Sequence, residues 1–363
     1  MTEAQSIDRT PKPDETAAVP VFSVVIVNYN GGAYVQAALD SLTRQTRRDF
    51  EVIVIDNASS DGSVDNLETS GLPAFTLLAE TENHGYARGT NISVAQARGE
   101  WIVCLNPDAV ADPAYLEQIA SGIARNPAVN MFASAQYRME MPSILDGAGD
   151  AYLIFGLPWR GGFGRPATEM PDEGESFSPC GAGAIFNRER FLRSGGFVEE
   201  FFCFCEDVEL GFRMRLAGEK CVFLPGAVIH HVGGGLSGRA SEFSTYHGNR
   251  NRIWTYARNM PSLLFWPTLP GHVVLSSYVL ARSVLNGRFP ATWRGMRDGM
   301  KGAMRMRKAG NDDRKHHASL WQLARAMAWN PFRMSQRRVH VRPIQKRPAA
   351  GSMSATNLNK TAL

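Results

Sequence analysis

The sequence predicts an α/β protein: a mostly parallel sheet flanked by helices, followed by a helical C-terminal extension. Three observations predict it. Val21 to Val27, Phe50 to Ile55 and Trp101 to Leu105 are short, mainly apolar runs, as strands buried on both faces require. Each run ends in a polar turn cluster: Asn28-Tyr29-Asn30-Gly31-Gly32, Asp56-Asn57 and Asn106-Pro107-Asp108. Helical segments separate the runs, and the chain after Pro261 is apolar and then basic with helical spacing.

The 363 residues have room for one large α/β domain and an appendage. A hydrophobic content of 44% with 10% aromatics supplies a core, and a net charge of +4 gives no reason to expect nucleic acid. The five cysteines form no CxxC pair and are odd in number, which fits reduced thiols in a cytosolic setting. Residues 1–20 are polar without an apolar core segment, so they read as a disordered lead and not as a signal peptide.

In chain order, a helix over about Tyr34 to Arg44 follows the first strand, with Ala37, Ala38 and Leu42 turned inward. After the second strand, Ser59-Ser60-Asp61-Gly62-Ser63 reads as a turn and helix cap. Ligands of open α/β sheets bind outside the carboxyl ends of strands, so Asn28 to Gly31, Asp56 and Asn57 stand where a ligand belongs. Ala74 to Leu78 is a third strand. The polar loop Asn83-His84-Gly85-Tyr86-Ala87-Arg88 leads to a helix at about Asn91, putting backbone N–H groups and Arg88 where an anion would bind. Asp112 before Pro113 reads as a helix cap, whereas Asp108 lies ahead of that cap at a strand end. A carboxylate so placed can hold Mg2+ or Mn2+ together with a diphosphate.

In the second half, residues 142–165 are glycine-rich with aromatics, and Ser178 to Phe186 reads as a strand whose Gly181 and Gly183 would admit a sugar to the backbone. Phe201 to Arg213 sets Glu206 and Asp207 directly after an aromatic run, at the start of a helix. Aromatic neighbours make a charged carboxylate costly unless it has a partner or a task. Cys221 to Leu224 is a further strand. His230 and His231 beyond it point to opposite faces, so at most one can ligate a metal.

These segments resemble family 2 glycosyltransferases, in the rhamnosyltransferase-like branch. The resemblance rests on Ser23 to Asn30, Val54 to Ser63, Asn83 to Ala87, Leu105 to Asp108, Cys180 to Phe186, Gly195 to Phe197, Phe201 to Arg213 and Pro225 to His231. It covers about Phe22 to Pro261. It implies a GT-A fold (a Rossmann-like, mostly parallel sheet), a nucleoside-diphosphate sugar donor, a divalent metal and inversion at the anomeric carbon. By this likeness Asp56 contacts the nucleotide base and Asn28, Tyr29 and Asn30 line the nucleotide pocket. Asn57, Asn83, Gly85, Arg88, Asn106 and Gly181 complete the nucleotide-sugar site. Asp108 and His231 hold the metal; Asn106 stands where a strict DxD motif has its first Asp. Asp207 is the catalytic base, taking the acceptor hydroxyl's proton, and Glu206 raises its pKa or orients the acceptor.

The expected organisation is a lead over 1–20, a glycosyltransferase domain over 21–260, a helical extension over 261–332 and a basic disordered tail over 333–363. Gly233 to Arg239 reads as a lid. Arg250, Asn251 and Arg252 open a helix whose arginines either hold the diphosphate or form a solvated face. Ser262 to Leu285 is marginal as a membrane span. Trp293, Met296, Met300 and Met304 alternate with Arg294, Arg297, Lys301 and Arg305, a basic amphipathic pattern suited to an anionic membrane or to packing on the domain. The expectation is a peripheral enzyme at the inner face of the cell membrane, acting on a lipid-linked or polysaccharide acceptor. Two alternatives stand beside it. A sugar-nucleotide nucleotidyltransferase needs a basic phosphate loop after the first strand, and no Lys or Arg occurs there before Arg44. A non-catalytic binding protein has no need to keep Asp108, Glu206, Asp207 and His231 together.

Overall fold

The computed structural model describes residues 19–233, 241–312 and 318–344. The lead up to residue 18, most of the expected lid and the tail from residue 345 lie outside them. The first half runs β1 (Phe22–Asn28), α1 (Tyr34–Thr43), β2 (Phe50–Asp56), β3 (Phe75–Ala79), α2 (Gly85–Gln96), β4 (Trp101–Cys104), β5 (Ala109–Ala111) and α3 (Tyr115–Arg125). Then come β6 (Met131–Arg138), β7 (Leu145–Ala148), β8 (Asp150–Leu153), β9 (Leu157–Arg160), β10 (Gly174–Ser176), β11 (Ala184–Asn187), α4 (Arg188–Arg193), α5 (Glu206–Leu216) and β12 (Cys221–His231). The C-terminal part is helical: α6 (Glu242–Asn259), α7 (Ser262–Leu285), α8 (Phe289–Asp312), α9 (Leu320–Ala326) and α10 (Pro331–Ser335).

The main sheet follows the order β10-β12-β6-β11-β4-β1-β2-β3, with β5 added on β12 and β7 on β6. Along that path β1 to β4, β6 and β12 run one way, and only β10 and β11 oppose them. Side chains alternate between two cores. Val24 and Ile26 pack with Val35, Leu39 and Leu42 of α1 and Leu116 and Ile119 of α3. Val25 packs with Ala87 and Val94 of α2, Phe191 of α4 and Leu210 and Met214 of α5. Each such fully buried side chain contributes about 1.5–3 kcal/mol; the polar residues inside β1 and β2, Ser23 and Glu51, bond each other at 2.6 Å.

Four expectations fail locally. No helix follows Ser59 to Ser63, because Asn28 and Asp56 bind the Ser59 hydroxyl and Asn28 also takes that of Ser63, holding the segment as a turn. Ser178 to Phe186 is not one strand: a 3-10 turn over Gly181–Gly183 precedes β11. Asp112 caps nothing, since its N–H is tied to Val228 O at 3.1 Å and its carboxylate meets His230 Nε2 at 3.0 Å. The helix expected near Asn91 starts at Gly85.

The extension is fastened to the catalytic domain by glycines. On α8 a Cβ at Gly295 would stand 2.4 Å from Tyr246 O, so only glycine permits this approach to α6. Helix α7 continues through Pro267 and Pro270 with one face packed: the His272 ring stacks on Tyr256 at 4.2 Å and its Nδ1 meets Phe155 O at 2.9 Å. Residues 333–344, expected as the start of a disordered tail, are docked: Arg342 N donates to Glu175 O at 3.0 Å and Trp159 Nε1 to Arg338 O at 3.0 Å.

Candidate active site

The carboxyl ends of β1, β2 and β4, the end of β12 and the loop before α5 enclose a cleft of about 400 Å3. Of the residues singled out in the sequence, Tyr29, Asn57, Asn83, Gly85, Asn106, Asp108 and His231 line it. Tyr86, Arg160, Phe202, Phe204 and Phe243 line it as well.

On the β1–β2 side a hydrogen-bonded network lies under the floor. Asn28 Nδ2 donates to Asp56 Oδ1 at 2.8 Å, Ser59 Oγ at 3.1 Å and Ser63 Oγ at 2.9 Å. Asp56 Oδ2 accepts from Ser59 N at 3.0 Å. Asn30, with φ +51, donates its N–H to Ser59 Oγ and accepts from Ser60 N, both at 2.8 Å. These residues fix the shape of the strand ends. Asn57 Nδ2 donates to Gly85 O at 3.1 Å, and Asn83 Oδ1 accepts from Gly85 N at 2.9 Å. A Cβ at Gly85 would lie 2.5 Å from Phe202 O, so this glycine brings α2 against the loop before α5. Arg88 does not line the cleft. It is half exposed and its Nε faces Glu199 Oε2 at 3.9 Å, a partner more than a hundred residues away in sequence.

Opposite stands an acid–imidazole cluster. His231 Nε2 lies 3.1 Å from Asp108 Oδ1 and 3.3 Å from Asn106 Nδ2, and its Nδ1 lies 2.8 Å from Asp146 Oδ2. Arg160 pairs with Asp146. Burial lowers the His231 pKa, but the hydrogen bonds to Asp108 and Asp146 outweigh it and leave it raised. Oxygen from Asp108 and nitrogen from His231 form a donor set that suits a hard or borderline divalent ion. Asp146 holds the far imidazole nitrogen, the usual support behind a metal-ligating histidine. His230 points the other way, stacked on Tyr137 at 5.9 Å.

The third part is the start of α5. Asp207 Oδ2 accepts from Gly181 N at 2.6 Å and Oδ1 from Val208 N at 2.7 Å. Tyr86 OH donates to Gly181 O at 2.9 Å, so Gly181 serves the acid rather than opening space beside it. Burial pushes the Asp207 pKa up against the pull of those two N–H groups. Glu206 is pushed well up by burial and then by Asp207, and Asp150 likewise. Ligand atoms of Asp150, Cys180 and Asp207 fall within 4.8 Å of one another. Burial raises Cys180 to about 12, which keeps it a thiol and a poor metal ligand. Phe202, Phe204 and Cys205 hold φ of 64, 73 and 66°, each costing about 1–3 kcal/mol for a residue with a side chain.

Sequence reasoning missed Asp146, Asp150 and Arg160. Their one signal was Asp146-Gly147-Ala148-Gly149-Asp150, two acids spaced around glycines in an otherwise aperiodic stretch. Neither Arg250 nor Arg252 lines the cleft: Arg250 binds the carbonyls of Glu200 and Phe201, and Arg252 is buried against Ser276.

A nucleotide-sized cleft at strand ends with an Asp–His pair in its lining, and a buried acid pair just beyond that lining in the chain, suit a glycosyltransferase. The family model for Glycosyl transferase family 2 matches residues 23–191, and the chain carries that domain. It is 29% identical to the N-acetylglucosaminyl-diphospho-decaprenol L-rhamnosyltransferase of Mycobacterium tuberculosis, over 73% of this chain and 94% of that relative. Among solved structures it resembles a mannosyltransferase from Pyrobaculum calidifontis in complex with GDP-Man and Mn2+, with a TM-score of 0.52, 20% identity and coverage of 84% and 90%. It also resembles S. aureus TarS 1-349 in complex with UDP-GlcNAc, with a TM-score of 0.53, 17% identity and coverage of 78% and 82%. The fold is therefore GT-A.

Proposed function

We propose that this glycosyltransferase moves a sugar, rhamnose, with inversion from a nucleoside-diphosphate donor to a hydroxyl of a lipid-linked, GlcNAc-bearing diphosphate acceptor. The observation that carries this reading is a cleft lined by Asp108 and His231, with the buried pair Glu206–Asp207 following its lining residues Phe202 to Phe204 directly in the chain. The curated relative's name supports the sugar and the acceptor.

Asp207 takes the proton from the acceptor hydroxyl as its oxygen attacks the anomeric carbon. The bond from that carbon to the diphosphate breaks, and the nucleoside diphosphate leaves. Gly181 N and Val208 N fix the orientation of the Asp207 carboxylate, and its raised pKa strengthens it as a base. Glu206 orients the acceptor beside it. Tyr29, Asn57 and Asn83 line the nucleotide part of the cleft on the frame built by Asn28, Asn30 and Asp56. Asp108 and His231 would hold Mg2+ or Mn2+, with Asn106 beside them. Such an ion, when bound, neutralises charge on the departing diphosphate.

The acceptor's lipid places the reaction at the inner face of the cell membrane. By length and composition α7 is the one helix among the described residues able to cross a membrane, with a mean hydropathy of 1.3 and 17% of that stretch buried. Its packed face on Tyr256 and Phe155 favours an orientation along the surface. Leu263, Trp266, Val274 and Leu285 are exposed on it, as are Trp293, Met300 and Met304 on α8. Met296 is buried, and Arg294, Arg297 and Arg305 pair with Glu242, Asp298 and Glu200, so Lys301 carries more of the attraction to anionic lipid.

The test is donor hydrolysis with and without Mn2+ or Mg2+, across dTDP-, UDP- and GDP-sugars, repeated with a polyprenyl-diphosphate-GlcNAc acceptor. Metal-dependent release of dTDP from dTDP-rhamnose, accelerated by the acceptor, is expected. Transfer from another donor alone overturns the sugar, and metal-independent turnover overturns the metal site.

A further inference from the structure

The loop that delivers the acid pair is folded against the preferences of its own residues. Phe202 has φ 64° and ψ −62°, a γ-turn of the rare, positive-φ kind closed by Cys203 N donating to Phe201 O at 2.7 Å. Phe204 has φ 73°. Cys205 occupies the N-cap of α5 with φ 66° and no side-chain cap bond, where an ordinary N-cap is extended and bonded. None of the three is glycine. Such conformations persist only where the surroundings over-determine them.

What surrounds this loop is Asn251 of α6, which is fully buried. Its Nδ2 lies 2.8 Å from Phe201 O, 2.9 Å from Cys203 O and 2.7 Å from Phe204 O. Its Oδ1 accepts from Arg250 Nε at 2.8 Å. Arg250 Nη2 in turn donates to Glu200 O at 3.0 Å and Phe201 O at 2.9 Å. The remaining carbonyl, Phe202 O, accepts from Ala87 N at 3.0 Å. All four carbonyls from Phe201 to Phe204 are therefore bound from other elements. A neutral amide suits the place: it offers donors to the carbonyls and an acceptor to the arginine, whereas a carboxylate would set oxygen against oxygen.

We propose that Asn251, fixed by Arg250, is the positioning residue of the catalytic base. It holds residues 201–205 in their left-handed conformations and so sets where α5 begins and where Asp207 meets the acceptor hydroxyl. Asn251 thereby acts on the chemistry through the loop, without touching substrate. The proposal rests on Asp207 as the base.

The test measures kcat, acceptor KM and calorimetric affinity for whichever of dTDP, UDP or GDP the wild type binds with Mn2+. Asn251→Ala is expected to lower kcat about 100-fold, the cost of a misplacement of roughly 1 Å, with nucleotide affinity unchanged. Adding Cys205→Gly, which takes a left-handed φ without steric cost, is expected to recover part of that loss. If the alanine variant does not fold, Asn251→Asp, of the same shape but lacking the donors, gives the same readout, and Arg250→Lys gives a smaller loss. Unchanged kcat in the folded variants overturns the proposal, and so does an equal loss of nucleotide affinity or no recovery with glycine. Asp207→Asn is run alongside. If it stays active, the base assignment fails; if it is inactive while Asn251→Ala is active, only the positioning role fails.

Discussion

The first turn of α5 holds three buried acids that the protein treats in opposite ways. Glu206 and Asp207 are buried yet make no ion pair among the described residues, and burial drives both pKa values up. Glu209 lies two residues beyond Asp207 and is buried completely, but Arg213 at 2.7 Å and Arg258 at 3.0 Å hold its carboxyl below the ordinary glutamate value. Asn259 adds a further donor at 3.2 Å. Burial does not by itself mark a working acid. Burial without an ion pair is what singles out Glu206 and Asp207 as candidates.

The strongest way to break this comparison is Asp207→Asn. Turnover is expected to fall about 10²–10⁴-fold, the contribution of a positioned general base, while nucleotide affinity by calorimetry holds. Retained turnover would put Asp207 with Glu209 as a supporting group. Next in size, Glu209→Ala strands the buried Arg258 and removes a partner of the partly buried Arg213, and is expected to cost about 3–5 kcal/mol in denaturant unfolding. Glu206→Gln sharpens the contrast. With a folded pKa raised above 4.5, Glu206 costs stability as pH rises through that range, so the glutamine variant is expected to melt no lower than wild type at pH 7. Smaller again, Asp146→Ala is expected to weaken Mn2+ binding about 10–100-fold in titrations without donor, since His231 loses the group that orients it. The slightest effect is in the pH profile. The base works as carboxylate and its pKa is raised, so kcat is expected to fall with acid at a pH above the ordinary aspartate value of 3.8. A limb at or below that value would contradict the buried environment.

What could be read in advance follows the same division. Strands β1, β2 and β4 announced themselves because burial on both faces demands mainly apolar runs, and their ends are polar. The acids before α5 stood out because aromatic neighbours make charge costly there. Asp146 could not be seen, since its approach to His231 depends on how β7 pairs with β6, with a register shift at Gln136/Tyr137. Arg88 misled for the same reason in reverse: its anionic neighbour, Glu199, comes from a distant loop. The place of Asn251 could not be read because nothing in its own segment reports the carbonyls it meets.

One irregularity in β12 has a further consequence. The strand pairs with β6 up to Leu224 and resumes at Val228, so Pro225-Gly226-Ala227 bulges out. Before the bulge, Val222 and Leu224 enter one core; after it, Ile229 enters that same core. The bulge exchanges even for odd. An unbroken strand would keep the even positions on that side and turn His230, not His231, towards Asp108. The three-residue bulge is thus a parity setting: it decides which of two neighbouring, chemically identical imidazoles the cleft receives.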